Sequence, residues 1–263
     1  MSLARAIKLR VMQAVDIAVH TRTPLPCYAD WLKLRTQPYA VRTRDGIELE
    51  IRPGGGDRFA FYETVIRRDY LQQGLVPLPG QTVVDVGGNI GGFAIVAGRL
   101  VGSEGRVITV EPEPQSFKQL ETNLRRNKLE HVTAVQAAIG AQDGAVRIVP
   151  HDNPLLNRVE AIENQQSADD AAVPCLTLDR LLDESRIERC DLMKIDCEGA
   201  EYEIFESMSQ ATAARIARIV METHPNRDRR DDQLHRRMAA LGFNLRIGSE
   251  ALTVAWREGA APA

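Results

Sequence analysis

The chain has 263 residues, a hydrophobic content of 44% and a formal net charge of −3 at pH 7. This length and composition allow a full core, and they favour one α/β domain with an additional segment over two complete domains. The charge argues against general nucleic-acid binding, and the four cysteines show neither a C-x-x-C pair nor zinc-finger spacing to a histidine. We therefore expect a protein of the reduced cytoplasm, with no disulfide framework and no structural zinc.

An amphipathic helix is predicted at the start of the chain. Its apolar residues recur at helical spacing at Leu3, Ile7, Val11, Val15 and Val19. We expect this face to pack on its own chain or on a second subunit, as in a homo-oligomer. We favour that interpretation over contact of the helix's basic residues with an anionic membrane. The apolar run is too short to span a bilayer.

Residues 1–80 differ in character from the rest and are predicted to form an N-terminal helical and hairpin extension. The segment YAVRTRDGIELEI alternates on both sides of Asp45-Gly46, which indicates a small hairpin. A helix is predicted from Arg58 to Gln73, followed by the PLPG linker at Pro77 to Gly80. We expect residues 81–263 to form the main, cofactor-binding domain.

The main domain opens with VVDVGGNIGGF, a short buried strand followed by a glycine turn and a helix. Glycines allow the tight turn and the close approach of a ligand to the backbone. Loops of this kind serve NAD, FAD and S-adenosylmethionine alike. Here Asn89 stands where the second glycine of the NAD motif belongs. Asp85 at the strand end suits an ammonium group, and Glu111 after the next strand suits ribose hydroxyls, so the pattern favours S-adenosylmethionine.

Strands and helices alternate from Thr82 onward, which predicts a parallel sheet with helices on both faces. The last two strands are predicted to form an antiparallel hairpin. The polar stretch from Asn153 to Pro174 is predicted to be a long loop that covers the acceptor side of the crevice. His151 precedes that loop and could enter the site with it.

Three polar residues follow the fourth and fifth predicted strands, where an open α/β sheet binds its ligands. Asp196 ends the fourth strand, and Glu222 and His224 alternate on the fifth, predicted from Ile219 to Thr223. We expect these residues to be catalytic, with His224 as a general base. The same set could hold a hard divalent metal ion. No diagnostic ligand spacing demands one, so the metal-free base is favoured. Lys194, inside the fourth strand, is expected to form a structural ion pair.

Several segments, taken together, resemble the FkbM-type methyltransferases. They are VVDVGGNIGGFAI, GRVITVEPEPQSFKQLETNLRRN, VQAAIG, LTLDRLL, DLMKIDCEGAEYEIF and IVMETHP. The resemblance runs from about Thr82 to Gly242 and implies a class I methyltransferase fold, a Rossmann-like, mostly parallel seven-stranded sheet with helices on both faces. It also implies S-adenosylmethionine as cofactor. The cofactor contacts that it implies are Asp85, Gly87, Asn89, Gly91 and Glu111, with Ala138 and Ile139 bordering the adenine.

The sequence thus predicts an S-adenosylmethionine-dependent methyltransferase, with a hydroxyl group of a sugar or another small molecule as acceptor. Methylation of nitrogen on a small molecule is one alternative. An NAD-dependent oxidoreductase is another, against which the missing middle glycine argues. The remaining alternative is a cofactor-binding regulatory subunit without catalysis, against which the acids and histidine after strands four and five argue.

Overall fold

The computed structural model describes residues 3–54, 56–72, 74–149, 158–161, 172–224, 231–248 and 252–262. The chain begins with two helices, α1 (Leu3–His20) and α2 (Pro24–Trp31). An antiparallel hairpin of β1 (Tyr39–Arg42) and β2 (Glu48–Ile51) follows, as the sequence predicts. None of the helices in these ranges combines the length and the apolar character that crossing a bilayer requires.

The helix predicted from Arg58 to Gln73 is divided into three short pieces. An α-helix, α3 (Asp57–Phe61), passes into one stretch of π-helix at Tyr62–Arg67. Arg68 then adopts a φ of 55°, and a 3₁₀ turn covers Asp69–Leu71. The left-handed residue stops the helical hydrogen bonding, which the periodicity of the sequence does not reveal.

Helix α1 forms where it was predicted, but a different face of it contacts the rest of the chain. Val11, Val15 and Val19 are each more than half exposed, whereas Ile17 is fully buried in the core. Asp16 accepts a hydrogen bond from Tyr62, at 2.7 Å, and this contact turns the side of the helix that carries Ile17 inward. The valine face therefore does not pack on its own chain, and its packing on a second subunit remains a prediction.

The remaining elements alternate along the chain. In order they are β3 (Thr82–Val86), α4 (Gly92–Val101), β4 (Arg106–Val110), α5 (Pro114–Arg126), β5 (Val132–Val135), β6 (Ala138–Ile139), β7 (Gly144–Val149), β8 (Arg158–Ala161), β9 (Ala172–Leu176), α6 (Leu178–Glu184), β10 (Leu192–Ile195), α7 (Glu201–Ser207), α8 (Gln210–Arg215), β11 (Arg218–Glu222), α9 (Asp231–Ala240), β12 (Asn244–Ile247) and β13 (Leu252–Trp256).

Seven of these strands form one twisted sheet in the order β12-β13-β11-β10-β3-β4-β5. Its strands are parallel except β13, which runs antiparallel to both of its neighbours. Val83 packs on one face with α4 and α5, and Val84 packs on the other with α6, α7 and α9. The mostly parallel seven-stranded sheet with helices on both faces is confirmed, and so is the closing antiparallel hairpin.

The N-terminal extension packs against one face of this sheet. Ile17, Leu49 and Phe61 share a buried cluster with Val83 of β3 and Ile95 of α4. Asn123 of α5 accepts a hydrogen bond from the backbone of Glu50, at 2.7 Å. The extension therefore forms a continuous core with the sheet, and it brings its own side chains to the edge where β3 and β10 end.

A second, four-stranded sheet in the order β6-β9-β7-β8 lies after β5. Part of the loop predicted from Asn153 to Pro174 is strand in the structure, because Arg158–Ala161 pairs with β7 and the start of β9 includes Pro174. The polar side chains of this stretch give little indication of a sheet. Strand pairing nevertheless satisfies its backbone N–H and C=O groups. His151 and residues 153–157 and 162–171 lie outside the described residues, so the coverage of the acceptor side by this stretch remains a prediction.

The chain order reverses between β3 and β10, which are neighbours in the sheet. The chain proceeds from β3 to β4 and β5 on one side and from β10 to β11 on the other. Loops that leave these strands diverge at this point, so a crevice opens at their carboxyl ends. The predicted functional residues lie around that crevice.

Candidate functional site

The glycine turn after β3 brings backbone close to backbone. Gly87 has a φ of 83°, and a Cβ atom at this position would collide with the backbone oxygen of Asp196. Asn89 also has a positive φ, 47°, and Gly91, the N-cap residue that precedes α4, has a φ of 88°. The turn therefore needs glycine at Gly87 both for conformation and for space.

A pocket with an empty volume of about 870 Å³, open to solvent, lies between this turn and the ends of β4, β5 and β10. Five of the residues predicted to contact the cofactor line it: Gly87, Asn89, Glu111, Ala138 and Ile139. Asp196 and Glu198 line its other end. Asp85 and Gly91, which were also predicted as contacts, are not among the lining residues.

Glu111, the residue directly after β4, stabilises the glycine turn by hydrogen bonding. One carboxylate oxygen accepts a hydrogen bond from the backbone N–H of Asn89 at 2.7 Å, and the other accepts one from Glu113 at 2.8 Å. Burial raises the pKa of Glu111 to about 7, although both backbone hydrogen bonds oppose that rise. Each oxygen keeps a second lone pair, so the carboxylate can still accept a hydrogen bond from a ligand in the pocket.

Asp85 lies beneath the turn rather than in the pocket. It is fully buried and accepts a hydrogen bond from Thr109 at 2.9 Å. Its other oxygen lies 3.3 Å from the Lys194 ammonium, which also donates to the backbone oxygen of Gly87 at 2.6 Å. Lys194 thus forms the ion pair expected of it. The geometry gives Asp85 a role in fixing the turn through Lys194, in place of the predicted direct contact.

Asp196 lies just beyond β10, where both the pocket and the acceptor side can be reached. Its Oδ2 atom accepts a hydrogen bond from the Tyr70 hydroxyl at 2.8 Å and lies 3.4 Å from the Lys194 ammonium. Burial would raise the pKa of Asp196, but the charges of Lys194 and His224 and the Tyr70 hydrogen bond hold it below its usual value. Asp196 is therefore a carboxylate at neutral pH.

Tyr70 comes from the N-terminal extension, and no pattern in the sequence indicates that it belongs to the site. Its hydroxyl also lies 3.1 Å from Glu222, and its ring lies 5.2 Å from the Lys194 ammonium. A hydroxyl has one hydrogen, so the second contact is best satisfied when Glu222 carries a proton. Burial and the charge of Asp196 raise the pKa of Glu222, in agreement with such sharing.

His224 lies two residues beyond the end of β11, in the following loop rather than on the strand. Its Nδ1 atom is 2.8 Å from the buried Glu201 carboxylate. Its Nε2 atom is 3.7 Å from Asp196 and 3.7 Å from Glu198. Burial would lower the pKa of His224, but the Glu201 hydrogen bond and the surrounding carboxylates outweigh it and raise the pKa to about 9.

The predicted set of Asp196, Glu222 and His224 thus lies at one end of the crevice, and Glu198 lies there as well. The ligand atoms that lie within 4.8 Å of one another belong to Asp196, Glu198 and His224. Glu222 reaches Asp196 through Tyr70 instead. Glu198 lies beside Asp196 and His224 because its φ of 54° changes the direction of the chain after β10. Burial raises the pKa of Glu198 to about 7.

The sequence of this chain is similar to those of known methyltransferases. The family model described as "Methyltransferase FkbM domain" matches residues 85–245. The 31-O-demethyl-FK506 methyltransferase FkbM of Streptomyces tacrolimicus is 26% identical, and the alignment covers 70% of this chain and 81% of that protein. The hexuronic acid methyltransferase AglP of Haloferax volcanii is 24% identical, over 56% of this chain and 57% of that protein.

A third relative is much longer than this chain. The AMB antimetabolite synthetase AmbE of Pseudomonas aeruginosa is 26% identical over 81% of this chain, which corresponds to only 12% of AmbE. The chain therefore matches one segment of that synthetase.

Proposed function

Because the chain belongs to the FkbM methyltransferase family, we propose that it transfers a methyl group from S-adenosylmethionine to a hydroxyl oxygen of a sugar or another hydroxylated small molecule. The class I methyltransferase fold and methyltransferase activity come with the family. The observation that carries the proposal is the pocket in which the glycine turn and Glu111 face Asp196. The family membership leaves no support for the NAD-dependent oxidoreductase alternative.

The pocket fits the cofactor that the family uses. Gly87 lines the pocket with backbone atoms alone, because it has no side chain. The free lone pairs of Glu111 suit ribose hydroxyls, and the apolar side chains of Ala138 and Ile139 suit the adenine ring. When bound, S-adenosylmethionine supplies an electrophilic methyl group on its sulfonium.

The chain's own residues must align the acceptor and take up its proton. A neutral alcohol is a poor nucleophile, and general acid–base assistance contributes about 10²- to 10⁴-fold. We assign the proton to the group formed by Asp196, Glu222 and His224, which titrates as a unit because its members interact closely. Orientation of the acceptor in the crevice contributes a further share of about 7 to 11 kcal/mol.

An oxygen acceptor is favoured over nitrogen by the charges at the acceptor end. An amine bound beside Asp196, Glu198 and Glu222 would be held as an ammonium ion, which lacks the lone pair needed for attack. A hydroxyl group has no such state. Two of the relatives, named for a 31-O-demethyl compound and for a hexuronic acid, also support an oxygen acceptor.

The test is incorporation of labelled methyl groups from S-adenosylmethionine into pooled hydroxylated metabolites and glycans. We expect product whose label survives mild alkali, as a methyl ether does and a methyl ester does not. The Glu111→Ala variant, assayed in parallel, should incorporate far less label at limiting cofactor. Label found only in amine acceptors would replace the proposal with N-methylation.

A further inference from the structure

We propose that Asp196, Glu198 and His224 bind one divalent cation at the acceptor end of the crevice. The role of this cation, to bind and polarise the acceptor hydroxyl, rests on the proposed function, whereas its binding does not. The sequence alone favours a metal-free site, whereas the geometry of these three residues favours a bound cation. The reasons are the spacing of the ligand atoms, the groups that orient them and the charge around them.

The ligand atoms have the spacing of a coordination sphere. Asp196 Oδ1 and Glu198 Oε1 each lie 3.7 Å from His224 Nε2, and all three lie within 4.8 Å of one another. Metal–ligand bonds of about 2.1 Å place neighbouring ligand atoms roughly 3 Å apart and opposite ones roughly 4.2 Å apart. Small side-chain movements therefore suffice to close the three atoms around an ion.

The imidazole is oriented in the way that metal-binding histidines usually are. Its Nδ1 atom contacts Glu201, which is fully buried at the start of α7, at 2.8 Å. The same Glu201 oxygen accepts a hydrogen bond from the backbone of Cys197, at 3.2 Å. A carboxylate on one ring nitrogen fixes the tautomer and turns the other nitrogen, here Nε2, toward the ion.

Asp196 is oriented in the same manner, from the opposite side. Tyr70 and Lys194 both contact its Oδ2 atom, at 2.8 and 3.4 Å. Its Oδ1 atom is the one that faces His224. Each of these two ligands thus has one atom held by the surrounding protein and one atom directed at the shared point.

Glu198 reaches this point through an uncommon backbone conformation. Its φ of 54° lies in the left-handed region, which residues with a Cβ atom rarely adopt. Such conformations are concentrated at ligand sites, where surrounding structure maintains them. The conformation brings the Glu198 carboxylate to His224, where it adds a further negative charge.

The charge around the three residues favours a cation. Glu201 and Glu222 add two carboxyl groups to those of Asp196 and Glu198, whereas Lys194 is shared with the buried Asp85. Two carboxylates and an imidazole suit ions such as Mn²⁺ or Mg²⁺ and leave coordination positions open. A hydroxyl group bound at an open position would be acidified by the ion.

The experiment measures Mn²⁺ binding directly, by electron paramagnetic resonance of free Mn²⁺ during titration of chelator-stripped full-length protein. We expect saturation at one ion per chain, and loss of the site in His224→Ala and Glu198→Gln. Glu201→Gln should weaken binding about 10- to 100-fold, because it alters only the orientation of His224. Glu188→Gln, an exposed acid elsewhere on the chain, is the matched control and should bind like the wild type.

Calorimetric binding of S-adenosylhomocysteine by the same variants separates the two proposals. Cofactor binding without saturable Mn²⁺ binding would overturn the cation site and leave the proposed function intact, and the reverse result would overturn the function alone. Undiminished Mn²⁺ binding by His224→Ala would also overturn the site. So would loss of Mn²⁺ binding in Glu222→Gln with retention in Glu198→Gln, since that result would place the ion at the set predicted from sequence.

Discussion

The crevice has two halves that are held together by different kinds of contact. In the donor half, formed by Gly87, Asn89, Glu111, Ala138 and Ile139, the Glu111 carboxylate is fixed by backbone N–H groups. In the acceptor half, formed by Tyr70, Asp196, Glu198, Glu222 and His224, side chains fix side chains. The donor half is thus assembled within neighbouring loops, whereas the acceptor half depends on segments far apart in the chain.

This difference predicts how each half responds to substitution. A change in the donor half should alter cofactor affinity and leave the chemical step intact once the cofactor is bound. A change in the acceptor half should lower turnover with little effect on cofactor affinity, because its polar groups lie toward the acceptor.

Replacement of His224 by alanine should have the largest effect. We expect turnover to fall about 10²- to 10⁴-fold, because the group that takes up the proton of the acceptor loses its imidazole. Cofactor affinity should change little. Rates of labelled methyl transfer and calorimetric titration with S-adenosylhomocysteine measure the two quantities. Near-normal turnover on the true acceptor would leave His224 as a structural residue.

Replacement of Glu111 by alanine should act on the donor half alone. Loss of a charged hydrogen bond to the ribose should weaken S-adenosylmethionine binding by about 1.5 to 3 kcal/mol, which is roughly 10- to 150-fold in Kd. Calorimetry measures the change, with thermal unfolding as a check that the glycine turn remains folded. An unchanged Kd in the folded variant would show that Glu111 makes no cofactor contact.

Replacement of Tyr70 by phenylalanine should act on the acceptor half. The ring keeps its edge-to-face contact with Phe93, but Asp196 loses the hydroxyl that orients its Oδ2 atom. We expect kcat to fall roughly tenfold, since Lys194 still holds the same oxygen. Kd for S-adenosylhomocysteine should be unchanged. A change in Kd with normal kcat would mean that the extension acts on the donor half.

The smallest expected effect is a dependence of cofactor affinity on pH. The pKa of Glu111 is raised to about 7, and a ribose hydroxyl binds best to the ionised carboxylate. Affinity should therefore be full well above pH 7 and fall as the pH decreases through 7, by about tenfold at pH 6. Glu111→Gln should remove this part of the dependence. The ligand's own amino group titrates identically in both proteins and so cancels in the comparison.

The sheet and most of the residues that line the donor half could be predicted from the sequence. These follow from patterns that are local in the chain: the alternation of strands and helices, the glycines of VVDVGGNIGGF and an acid at the end of the next strand. Asp196, Glu222 and His224 were also found from their positions at strand ends. A parallel sheet brings the carboxyl ends of its strands to one edge, so sequence position alone places such residues together.

Which polar groups contact one another could not be predicted from the sequence. Asp85 and Lys194 pair beneath the glycine turn because both point into the same buried layer. Tyr70 contacts Asp196 across 126 residues, since the extension packs on the sheet. Glu198 enters the site through a single left-handed residue, and the face of α1 that carries Ile17 is buried in place of the valine face. Such contacts depend on packing between distant segments and on individual backbone angles, and neither has a local signature in the chain.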